Sequence, residues 1–173
     1  MKTLTIDALW AWAILAGHKQ VENRTWTTSF RGRLAIHAGK NASRDGDALR
    51  LFDRLDITPP SHELLADLRG RILGTVELVD CVAYAAGAAP PPKGVADPER
   101  GTVAADPFAT GPWCWLLQDA RWLPEPVEYA GQLGLWNWPG GDELLPDGHH
   151  PEGTAPACRP SSQSTPSSNH FST

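Results

Sequence analysis

Sulfur is scarce in this chain, which has three cysteines (Cys81, Cys114 and Cys158) and a single methionine. The cysteines are odd in number and far apart. Neither a disulfide framework nor a CxxC metal knuckle can be built from them, and a reducing cytoplasm is the expected setting. No apolar run approaches the roughly 18 residues needed to span a bilayer. The N-terminus also lacks the basic-then-apolar layout of a secretion signal, so no membrane partner is expected. A glycine-rich phosphate loop, a GxSxG nucleophile elbow and an HExxH helix are all missing. No cofactor and no metal are expected, since the His149–His150 pair has no further ligand at a useful spacing.

What the chain does hold is tryptophan. Its eight Trp outnumber four Phe and two Tyr, and all eight fall between Trp10 and Trp138. An apolar share of 41% over 173 residues suits one core of ordinary domain size plus extensions. The net charge of −5 argues against a uniformly basic nucleic-acid coat, but the charge is uneven. Residues 1–50 carry eight Lys and Arg against four Asp and Glu, whereas residues 51–173 carry seven against sixteen. A locally basic field beside aromatics can attract phosphate even on an acidic molecule; the same charges can equally solvate one face.

Composition divides the chain into a domain over residues 1–138 and a tail over 139–173. The tail is rich in Pro, Ser, Gly and Thr, too poor in apolar groups to offset ordering entropy, and is expected to be disordered. A second low-complexity stretch, 85–111, contains three consecutive prolines and reads as a long excursion from the fold. Elsewhere the periodicity alternates. Lys2–Ile6 reads as a strand, Asp7 as the cap of a helix that Gly17 stops, and Gly32–Ala38 as a strand. Asp45–Asp56 and Ser61–Leu68 read as short helices, and Arg71–Val82, Pro112–Trp122 and Tyr129–Trp138 as strands. Short strands with interspersed helices and no βαβ repeat predict an α+β fold, a small mixed or largely antiparallel β-barrel with flanking helices.

The densest polar cluster, GHKQVENRTW, follows the first helix and is predicted to be presented from a turn. It supplies Lys19, Glu22, Asn23, Arg24 and Thr25 within eight residues, closed by Trp26. A Lys and a Glu three apart can meet, a desolvated Lys can act as base or nucleophile, and Arg24 suits bidentate anion binding. The same residues can also pin the turn as an ion-pair network. A second cluster, FRGRLAIHAGK, places Arg31, Arg33, His37 and Lys40 along a strand, and Arg44 follows. By alternation His37 lies on the face opposite Leu34 and Ile36; alone it reads as a half-buried histidine bonded to backbone. A groove with these cations and an aromatic wall of Trp10 or Trp26 suits single-stranded nucleic acid. At least half the tryptophans are expected in the core.

Taken together, LTIDALWAWAILAGHKQVENRTW, FRGRLAIHAGK, GRILGTVELVDC, TGPWCWLLQDARWL and GQLGLWNW resemble the ASCH domain family, a branch of the PUA-like β-barrel superfamily. The hallmark is G-x-K-x-x-E-x-R at Gly17, Lys19, Glu22 and Arg24; one departure is Leu9, where many members have proline. The resemblance implies a small barrel with a cleft lined by this motif, and binding of RNA or other nucleic acid. One bacterial branch hydrolyses N4-acetylcytidine through a Lys, a Thr and a Glu. Lys19 matches that lysine, Glu22 stands at the threonine position, and Glu77 is the counterpart of the glutamate.

The expected function is therefore binding of RNA, single-stranded DNA, or a nucleotide. Lys19 and Arg24 would contact phosphate or base oxygen, Glu22 would accept from a base amino group, and Trp10 or Trp26 would stack. Arg31, Arg33 and Lys40 would extend a basic path, making affinity steeply salt-dependent. The alternative is a small hydrolase of a modified nucleoside or RNA, with Lys19 as base or nucleophile and Glu22 or Glu77 as partner. A third reading makes the proline-rich stretch a protein-docking segment.

Overall fold

The computed structural model describes residues 1–43, 45–84, 103 and 106–141. Most of the 85–111 stretch, Arg44, and the tail from residue 142 lie outside the described residues. The strands are β1 (Lys2–Asp7), β2 (Val21–Arg24), β3 (Gly32–Gly39), β4 (Arg71–Ala83), β5 (Trp113–Glu128) and β6 (Leu135–Asn137). The helices are α1 (Ala8–Leu15), α2 (Asp45–Arg54) and α3 (His62–Leu68), and a 3-10 turn follows at Pro139–Gly141. Gly141 in that turn is buried.

The strands form one mixed sheet in the order β2-β5-β4-β3-β1-β6. β1 and β3 are parallel and the other neighbours are antiparallel. The chain therefore leaves β1 near one edge and places β2 at the opposite edge. α1 makes this crossing, and its sequence explains how it can. All its residues except Trp10 and Trp12 are buried apolar groups, so the helix packs under the sheet against β1, β3, β4 and β5. Gly17, at φ 81°, ends the crossing in a conformation that suits glycine.

Three strands separate β1 from β2 in hydrogen-bond order, yet Arg24 Nη2 on β2 donates to the Thr5 carbonyl on β1 at 2.9 Å. The sheet is thus curled into a half-barrel whose β1 and β2 sides approach each other. Register shifts in β4 and β5, and the positive φ of Asp119, allow long strands to bend this far. The main core fills the concave side with Leu4, Ile14, Leu34, Ile36, Phe52, Leu73 and Trp115. Ala35, Ile72, Leu123, Trp136 and Trp138 form a smaller cluster. β3 is consequently covered on both faces, and His37 is buried, not half-buried as its alternation suggested.

Two expectations need correction. GHKQVENRTW is not merely a turn: Val21–Arg24 is a strand paired with Trp113–Leu116, and both Lys19 and Glu22 are buried. The strand expected over Pro112–Trp122 runs on to Glu128, whereas of the strand expected over Tyr129–Trp138 only Leu135–Asn137 pairs, with β1. Four of the eight tryptophans (Trp115, Trp122, Trp136 and Trp138) are buried, as expected for core.

Candidate functional site

The seam where β1 and β2 approach opens into a cleft of about 600 Å³. β1 and the start of α1 supply Thr5, Asp7 and Trp10; the segment leading into β2 supplies Lys19, and β2 supplies Glu22, Asn23 and Arg24. α2 contributes Asp47, Leu51 and Arg54, the 108–110 segment contributes Phe108, and the loop before β6 contributes Gln132, Leu133 and Gly134.

Glu22 organises the floor. Its Oε2 accepts from Lys19 Nζ at 2.6 Å, and its Oε1 lies 3.3 Å from Arg24 Nη2. Lys19 also donates to the Val21 carbonyl, and its ammonium sits 5.9 Å from the centre of the Trp10 ring. Both partners of the Lys19–Glu22 pair are buried, so the pair rests on hydrogen bonds that replace lost water. Arg24 Nε is buried with no partner among the described residues. Carboxylate acceptors and N–H donors thus lie side by side, next to an indole.

The aromatic wall is held rigidly. Trp10 meets Phe52 and Phe108 edge to face, with ring centroids 5.5 and 6.2 Å away. Phe108 is fixed by Asn23, whose Nδ2 donates to the Phe108 carbonyl at 2.7 Å and whose Oδ1 accepts from Thr110 N at 2.9 Å and Gly111 N at 3.2 Å. Asn23 therefore ties the end of the low-complexity stretch onto β2 and gives the cleft one of its sides.

Of the residues expected at the site, Trp10, Lys19, Glu22 and Arg24 converge here, and the others do not. Thr25 is exposed beside the cleft's floor strand but does not line it. Trp26 packs edge to face on Trp115 at 4.8 Å, and its carbonyl accepts from the Trp115 indole, so it is a packing residue. Arg31 is locked to Asp80 and to the carbonyls of Thr28 and Phe30. Arg33 pairs with Asp119 and lies 3.6 Å from Glu77, so neither Arg33 nor Glu77 reaches Lys19 in the cleft. Hydrogen bonds from Arg121 and then Arg33 hold the Asp119 carboxyl below its ordinary range. Lys40 is exposed, with its stem against Gly70.

His37 lies on β3 in register with Thr5 of β1, its Nε2 hydrogen-bonding with the Tyr129 carbonyl at 3.0 Å and its ring against Trp136. Burial pushes its pKa below the ordinary histidine value, and the bond to Tyr129 partly offsets that. Nδ1 is buried without a partner among the described residues, as fits a neutral ring carrying its proton on Nε2.

The sequence pattern names Asn23 in the polar cluster without a role, and does not single out Phe108, Arg54 or Leu133. Asn23 stood inside the motif, but its role depends on contacts 85 and more residues away. Among the described residues no group of three His, Cys, Asp or Glu is placed to hold a metal ion, and no helix is long and apolar enough to cross a membrane.

Residues 4–92, just over half of the chain, match the ASCH domain family. Among solved structures, the crystal structure of ASCH from Zymomonas mobilis is similar, with a TM-score of 0.46 and 14% sequence identity. That match covers 83% of this chain and 91% of the other. No curated protein matches the sequence.

Proposed function

The chain belongs to the ASCH domain family, and we propose that it captures a base in the cleft between β1 and β2, from RNA, single-stranded DNA or a nucleotide. The observation that carries this reading is the Glu22 carboxylate, shared by Lys19 and Arg24 beside the Trp10 ring. A base edge presents donors and acceptors side by side, and its face is a flat π surface. Glu22 accepts from an exocyclic amino group, Arg24 and Lys19 donate to ring nitrogen or keto oxygen, and Trp10 stacks. The supports of this constellation are rigid: Lys19 and Arg24 are held by backbone carbonyls, and Trp10 by Phe52 and Phe108.

The hydrolase alternative is supported less well. Lys19, its base or nucleophile, does meet Glu22, one of its two expected partners, but it also donates to the Val21 carbonyl, and Glu77 stands with Arg33 outside the cleft. Titration of the intrinsic fluorescence with mixed-sequence single-stranded RNA and DNA tests the binding reading, with saturable quenching expected. No quenching at high micromolar protein overturns it, and Lys19-dependent product release from N4-acetylcytidine would establish the enzyme instead.

A further inference from the structure

The loop from Tyr129 to Gly134 is fixed at its base and open at its tip. Tyr129 N donates to the Gly70 carbonyl at 3.1 Å, and its ring stacks on Trp136 with centroids 5.6 Å apart. Gly131 lies so close to His37 that a β-carbon there would stand 2.5 Å from Cε1. Past this anchor, Gln132, Leu133 and Gly134 reach the mouth of the cleft, and Gly134 turns the chain back at φ 70°. Leu133 is 99% exposed, while Leu49 is the other exposed large apolar side chain among the described residues, at 43%. A fully solvated leucine on a pinned loop, at the rim of a cleft walled by Trp10 and Phe108, has no apolar surface covering it among the described residues.

The charge of the cleft says what kind of ligand supplies such a surface. Its described lining holds three cations (Lys19, Arg24 and Arg54) and three carboxylates (Asp7, Glu22 and Asp47). The two innermost cations share Glu22, and Asp47 also meets Arg50. The arginines expected to extend a basic path are engaged elsewhere. A site of balanced charge offers little to a phosphate and much to a neutral polar ring.

Resting on the base-capture reading, we infer that Leu133 is the capping residue of the cleft, and that its ligand is an uncharged planar base or nucleoside bound without phosphate neutralisation. On binding, the loop tip lays Leu133 on the ring, and the Gln132 amide adds a donor and an acceptor at its edge.

The test is calorimetric titration of the full chain with ribonucleosides, their 5′-monophosphates and short homopolymeric RNAs, at about 50 and 200 mM salt. Each nucleoside that binds is expected to match its monophosphate within about threefold, with less than twofold loss at high salt. Leu133→Ser is expected to weaken nucleoside binding about tenfold, the effect of one leucine-sized contact left unmade, with no change in Tm. Monophosphate or RNA binding that is more than tenfold tighter and falls steeply with salt would overturn the inference while leaving base capture in RNA standing. Wild-type affinity in Leu133→Ser would overturn the cap. Failure of every probe to bind would overturn the base-capture reading itself, and this inference with it.

Discussion

Lys19 Nζ lies 2.6 Å from Glu22 Oε2, and both side chains are buried at the floor of the cleft. Removing one partner of such a pair leaves an uncompensated buried charge, whereas removing both relieves it. Glu22→Gln is expected to lower unfolding stability by about 3 kcal/mol. Lys19→Met with Glu22→Gln is expected to cost less than the two single changes added together. Urea denaturation of the four proteins checks this, and strict additivity would show that the pair is not coupled.

Asn23 is expected to matter for ligand affinity although it is occupied with backbone. Its amide holds Phe108, Thr110 and Gly111. Asn23→Ala leaves those groups unpaired and is expected to cost about 1–3 kcal/mol of stability. Affinity is expected to fall as well, because Phe108 loses its fixed position beside Trp10. Unchanged affinity in a destabilised variant would separate the clamp from the site.

Acid is expected to loosen the loop that carries Leu133. The folded-state pKa of His37 lies below its ordinary value of 6.5, so the unfolded chain binds more protons between the two values. The stability contributed by neutral His37 is complete above about pH 6.5 and is lost as pH falls toward the lower folded value. Tm of the wild type is expected to drop across this window, and His37→Gln is expected to flatten the slope. Equal slopes would assign the acid sensitivity to other groups.

Much of this molecule was legible in its sequence, and the exceptions share a cause. β1, α1, β3, α3 and β4 announce themselves through local periodicity, with Ser61 capping α3 by accepting from Leu64 N. β2 does not, because V-E-N-R has one clear apolar residue and is a strand only through pairing with β5. Lys19, Glu22, Arg24 and Trp10 were identifiable because the motif is compact and the crossing helix returns it to the end of β1. The basic path was not, because the partners of Arg31 and Arg33 are 49 and 86 residues distant and no local pattern shows Asp80 or Asp119 waiting for them. Leu133 fell inside the expected strand Tyr129–Trp138; it lies in the loop before β6, and neither its exposure nor its place at the cleft is carried by a local pattern.

Stacking on Trp10 is expected to carry a measurable part of the affinity. Trp10→Leu keeps an apolar group against Phe52 but removes the flat ring, and base–aromatic stacking contributes about 1–3 kcal/mol. Binding is expected to weaken about tenfold or more with a small change in Tm. Trp26→Leu, outside the cleft, is expected to lose stability and retain affinity per folded molecule. The reverse ranking would move the stacking platform to Trp26.

The most direct test of base capture in this cleft is a two-dimensional nitrogen–proton spectrum of the eight tryptophan indoles, assigned by single substitutions and recorded during titration with nucleosides. The expected result is a saturable shift at the Trp10 indole, abolished by Glu22→Gln in a still-folded protein, with Trp26, Trp136 and Trp138 unmoved. Shifts confined to Trp26, or no shift at saturating nucleoside and RNA, would contradict the assignment of this cleft as the binding site.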